Sequence, residues 1–141
     1  MKLFQKFENN MDLRYVEKNL GKINEIFIEM GEELSDVKER KLYKKYGYNS
    51  FKTFIDIEFN MSMNIINKIL RVYRTMVCEL DFDEESLKEI GFDKLVQVVS
   101  VKKMVENLEE FNSLIDYAKS TSLTKLREKI LEIKEDYKKI I

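Results

Sequence analysis

Histidine, proline and tryptophan are absent from the 141-residue chain, cysteine occurs once and glycine four times. Each scarcity excludes something. Without histidine there is no Ser-His or Cys-His nucleophile pair, and the usual mixed Cys and His zinc ligand sets cannot form. The single cysteine, Cys78, leaves no intrachain disulfide, which fits a reducing cytoplasm. With no histidine to activate it, Cys78 is expected to fill core space. The glycines form no Gly-rich loop of the kind that cradles phosphates. No apolar run approaches the length of about 18 residues that a membrane span needs, and the start MKLFQKFENN lacks the apolar segment of a signal peptide. A cytoplasmic protein with no membrane partner is expected. Excess charge is also lacking: the net charge is −1, so any affinity for nucleic acid must come from local charge. The carboxylates are many, but they alternate with lysines on solvated helical faces. No enzyme, no cofactor and no metal site is therefore expected.

What remains is 44 % hydrophobic and 36 % charged, rich in Lys, Glu, Leu and Ile. That composition predicts an all-α fold. The patterning divides it into a long N-terminal helix, a helix-turn-helix centre and a small C-terminal helical bundle. Residues 1–77 would hold the first two and 78–141 the bundle, as two domains or one continuous one.

The central stretch, Thr53 to Met76, reads as two short helices around a turn at Asn60-Met61-Ser62. Asn60 tolerates a left-handed backbone. Ser62 is a good N-cap for the second helix, and Asn49 or Ser50 for the first. Phe54, Ile55, Phe59, Met61, Ile66, Ile69 and Leu70 are spaced to lock the two helices together. Ser62, Met63, Asn64, Asn67, Lys68 and Arg71 then form the outward face of the second helix. Asn, Lys and Arg are side chains that read base edges and hold phosphates.

Upstream, Leu13, Val16, Leu20, Ile23, Phe27, Met30, Leu34 and Val37 recur at alternating intervals of three and four, a heptad seam. It predicts either a homodimer helix or an amphipathic helix packed on its own domain. Gly31 lies off the seam and could mark the close approach of another helix. Between Lys38 and Arg74 nine positive residues stand against three negative, a balance of +6. Lys41, Lys44, Lys45 and Lys52 are the candidate phosphate contacts within it. Gly47 is a plausible helix C-terminal residue.

Past Val77 the sign reverses, with Glu79, Asp81, Asp83, Glu84, Glu85, Glu89 and Asp93 against Lys88 and Lys94. This stretch reads as a linker into a short helix, Glu84 to Ile90, ended by Gly91. Asp93 is expected to cap a helix through about Glu106. Two more helices follow, about Leu108 to Lys119 and Leu123 to Ile140, separated by Ser120-Thr121-Ser122.

The stretch from Met30 to Tyr73 resembles small helix-turn-helix proteins of phages, plasmids and integrative elements. The matching positions are Gly31, Leu34, Lys38, Tyr46-Gly47-Tyr48, Phe51, Phe54, Phe59-Asn60-Met61-Ser62 and the helix through Val72-Tyr73. The run Leu87 to Leu95 is similar to an element that recurs after such motifs. Two positions depart from the pattern: Asn60 replaces the turn glycine, and Asp56 stands where a small residue is common. Asp56 should then face solvent. The resemblance implies sequence-specific binding of double-stranded DNA in regulation, replication or partition of a mobile element. A second expectation is an inhibitor that binds a host defence protein, as anti-CRISPR proteins do, on the same scaffold. It rests on the near-neutral charge, the acidic faces and Met61 and Met63. A third is a helical adaptor using the seam alone.

Overall fold

A computed structural model describes residues 23–59, 61–105 and 107–140. The described residues are helical throughout, with turns and no strand. The chain divides after Arg74 into two compact units.

The first unit is built on helix α1, Ile23–Glu39. Ile23, Phe27, Met30, Leu34 and Val37 are each 3 % exposed or less. They are covered within the chain, where α1 packs on helix α3, Met63–Val72. Full burial of such side chains contributes about 1.5–3 kcal/mol each. The apolar surface that Ile23, Phe27, Met30 and Leu34 were expected to offer a second copy is therefore taken up by intramolecular packing. Leu13, Val16 and Leu20 lie outside the described residues.

Lys41 breaks away from the end of α1 with φ 54°, a left-handed backbone that side chains rarely adopt. A 3-10 helix, Leu42–Tyr46, follows and packs back on α1. Gly47 ends it at φ 86°, donating its N–H to Lys44 and Tyr43 carbonyls. Helix α2, Phe51–Glu58, and α3 complete the unit. A π-helical segment, Tyr73–Glu79, continues α3 without a break.

Gly31 has a specific steric reason. A Cβ at that position would stand 2.5 Å from Tyr73 Cβ and 2.9 Å from its Cγ. Tyr73 Cβ is fixed to a helical backbone and cannot swing away. Gly31→Ala is expected to lower stability by about 1–3 kcal/mol through overpacking, even though alanine favours the helix by about 1 kcal/mol over glycine. A urea melt of the full chain checks this; a raised midpoint would show that α1 shifts freely against Tyr73.

The second unit holds helices α4, Glu84–Ile90, α5, Phe92–Ser100, α6, Leu108–Ser120, and α7, Leu123–Ile140, with a 3-10 turn at Lys102–Met104. Helix α5 is central and contacts the other three. Leu87, Leu95, Val98, Val101, Phe111, Leu126 and Ile130 are all but fully buried around it. The caps are polar side chains. The Asp83 carboxylate accepts from the Ser86 N–H at 3.2 Å; hydrogen bonding to the Ser86 side chain first, and to this N–H second, holds its pKa below the usual carboxylate value. Asn107 accepts from the Glu110 N–H at 2.8 Å, and Ser122 from the Lys125 N–H at 3.2 Å. Lys94 Nζ donates to the carbonyls of Ala118, at 2.8 Å, and Thr121, closing the C-terminus of α6.

Three expectations need correction. Asp93 does not cap α5: Gly91, at φ 92° and ψ 149°, ends α4 as expected and also starts α5, so Asp93 lies inside the first turn. Helix α5 stops at Ser100 instead of Glu106, because Val101, buried, turns the chain into the 3-10 helix. Cys78 is exposed, not core: Thr75 and Met76 take the buried side of the π-helical segment.

Candidate nucleic-acid interface

Helix α2 begins where Ser50 Oγ accepts from the Thr53 N–H at 3.1 Å. Its inward face is aromatic. Phe54 meets Phe59 edge-on at 5.3 Å between centroids, and Tyr48 at 5.6 Å. Phe51 lies 6.3 Å from both Phe54 and Tyr43. Such pairs add about 0.5–1.5 kcal/mol each beyond area burial and favour a fixed geometry. The cluster ties the Tyr46-Gly47-Tyr48 turn to α2. The Tyr48 hydroxyl donates to Glu58 in the last turn of α2; this bond, with burial and the Glu58 charge, raises the phenol's pKa. Asp56 is exposed, as expected, and pairs with Lys52 at 2.7 Å.

Helix α3 starts at Ser62, whose Oγ accepts from the Ile65 N–H at 3.3 Å. Such a cap contributes about 1 kcal/mol. Phe54, Ile55, Phe59, Met61, Ile66, Ile69 and Leu70 are all 3 % exposed or less. Asn64, Asn67, Lys68 and Arg71 are exposed and lie at helical spacings that put them on one strip. Met63 is half-buried beside that strip, and the Ser62 hydroxyl is engaged as the cap.

Of the candidate phosphate contacts, Lys41, Lys44 and Lys45 are exposed and make no ion pair with a described residue. Lys52 is exposed but engaged by Asp56. Among the other cations here, Arg40 pairs with Asp36 at 3.3 Å, and Lys38 lies over the Phe51 ring at 5.8 Å. Lys68 and Arg71 make no ion pair with a described residue. Arg74 belongs with them and was not among the expected site residues. It is exposed and stands three residues beyond Arg71 and seven beyond Asn67, a spacing that could have flagged it.

Among the described residues no group of three or more Cys, Asp or Glu side chains is arranged to hold a metal ion. No described helix is long and apolar enough to cross a membrane. The chain matches no family model, no curated protein and no solved structure.

Proposed function

We propose that the chain is a cytoplasmic, sequence-specific DNA-binding protein of a phage or mobile element, acting in transcriptional regulation, replication or partition. In this reading α2 and α3 form a helix-turn-helix. Helix α3 enters the major groove and reads bases through Asn64, Asn67, Lys68 and Arg71. Lys41, Lys44, Lys45 and Lys52 hold backbone phosphates, which set position rather than sequence. No cofactor is needed.

One observation carries the reading. The strip from Asn64 to Arg71 is wholly polar and exposed, on a helix whose opposite face is completely buried, and its two cations have no ion-pair partner among the described residues. A helix that only packed its neighbours would gain by pairing those cations with acids one turn away. Two-fold operators call for a homodimer. Such a dimer would use surface other than Ile23, Phe27, Met30, Leu34 and Val37. The test is binding of the full chain to a random duplex pool at low salt, followed by sequencing of what is retained. A recovered motif supports the reading, and absence of duplex binding overturns it.

The second reading, an inhibitor of a host defence protein, is favoured by Ile57, which is 63 % exposed on α2. In that case Ile57→Glu abolishes capture of the target while leaving DNA out of the assay altogether.

A further inference from the structure

Helix α7 carries its cations on two faces. Lys125, Lys129 and Lys139 each have an acid three or four residues away: Glu128, Glu132 and Glu135. Lys129 and Glu132 are paired at 4.0 Å. Arg127, Lys134 and Lys138 are on the other face. They lie at intervals of seven and four, on one stripe of the helix, with Leu131 between them. Arg127 and Lys138 are exposed and Lys134 half-buried. None makes an ion pair with a described residue. Neither Arg127 nor Lys134 has an acid at three or four residues on either side, and Lys138 has Glu135 three residues before it. Lys134 and Lys138 are a like-charged pair one turn apart, an arrangement that weakens an isolated helix.

Other exposed cations are paired: Arg40 and Lys88 each with an acid four residues earlier, and Lys52 with one four residues later. Exposed cations without such partners are also concentrated around α3. The 3-10 turn that carries Lys102 and Lys103 also packs on α7, so further positive charge sits on the same helix's surroundings.

We propose that the Arg127–Lys134–Lys138 stripe is a second contact to the phosphate backbone of duplex DNA, carried by the second compact unit. The proposal rests on the DNA-binding reading of α3. The stripe spans eleven residues, about 16 Å along a helix at about 1.5 Å per residue. At about 3.4 Å per base pair that is the rise of roughly five pairs, enough for its three cations to reach separate phosphates. Point charges on long stems hold phosphates without reading sequence, so the stripe adds affinity and salt dependence and no specificity.

The experiment compares the full-length wild type with two triple variants on specific and random duplexes across a salt series. One is Arg127→Gln, Lys134→Gln, Lys138→Gln. The other is Lys125→Gln, Lys129→Gln, Lys139→Gln, which removes the same charge from the other face of the same helix. Each phosphate contact contributes about 0.9 to the log–log salt slope. The stripe variant is expected to lose up to about 2.7 units, so that its affinity falls up to about 40-fold less than the wild type's between about 50 and 200 mM salt. It should weaken binding equally on both duplexes and keep its helical circular dichroism. The control variant should change the slope by less than one unit. Equal slopes for both variants would show a net-charge effect and overturn the stripe. A stripe variant with wild-type slope and altered mass by light scattering would assign the stripe to a protein contact instead. If the wild type binds duplex and Lys44→Ala, Lys45→Ala weakens it while the stripe variant does not, this inference alone fails. If the wild type binds no duplex, the reading of α3 fails with it.

Discussion

Phe27→Ala is expected to cost about 3–5 kcal/mol of stability, and Phe27→Glu to leave the first unit unfolded at every protein concentration. Phe27 is fully buried in the second turn of α1, a helix that packs on α3. Truncation leaves a cavity that helical neighbours fill only in part. A carboxylate there loses its hydration, and burying a charge costs several kilocalories per mole more. Against a total stability of about 5–15 kcal/mol for an ordinary domain, either change is a large fraction. The experiment also decides what the heptad seam does. If Ile23 to Val37 packed two copies together, Phe27→Glu would give a folded monomer, and the unfolding midpoint of the wild type would rise with protein concentration. If the seam packs inside one chain, the variant loses helical circular dichroism and the wild-type midpoint stays fixed. Glu25→Gln, an exposed change two residues away, should leave the midpoint where it is.

The seam illustrates how far the sequence carries the fold. Its period announces a helix with one apolar face, and that is what Ile23–Glu39 is. Periodicity says nothing about which surface covers the face, because α3 and a second α1 are equally apolar partners. Ser50, Ser62, Asp83 and Asn107 were legible as caps, or lie where a helix start was expected, because capping depends on one side chain and the next turn. The burial of Phe54, Ile55, Phe59, Met61, Ile66, Ile69 and Leu70 followed from spacing alone. Features set by tertiary contact were not legible. Tyr73 against Gly31 pairs residues forty-two positions apart. The π-helical segment inserts a wider turn after α3, and this shift brings Thr75 and Met76 inward and leaves Cys78 outside. The left-handed Lys41 was hidden because lysine carries no preference for that backbone. At the candidate site, residue types and exposure on α3 and the capping bond of Ser62 were readable, but the pairing of Lys52 with Asp56 depends on side-chain geometry one turn away.

Changes on α3 and changes on the 3-10 helix are expected to damage DNA binding in different ways. Asn67 and Arg71 sit on the exposed strip of α3, and Lys44 and Lys45 on the 3-10 helix, all four with exposed side chains. An asparagine can bond adenine through two atoms and an arginine guanine, each pairing discriminating by about 1–3 kcal/mol against the wrong base. Asn67→Ala and Arg71→Ala should therefore lose about 5- to 150-fold on the selected duplex and far less on a random one. Their melting midpoints should stay near the wild type's, because both side chains are exposed and neither is the cap. Lys44→Ala, Lys45→Ala should weaken binding to both duplexes alike. Two lost phosphate contacts remove about 1.8 units of log–log salt slope, so that affinity falls about 12-fold less between about 50 and 200 mM salt. The salt series on both duplexes separates base reading from backbone holding in one experiment. If Arg71→Ala loses equally on both duplexes and lowers the slope, Arg71 holds phosphate and base reading falls to Asn64 and Asn67. If all these variants bind both duplexes as the wild type does, α3 is not the groove-facing helix, and the exposed Ile57 on α2 becomes the surface to change next.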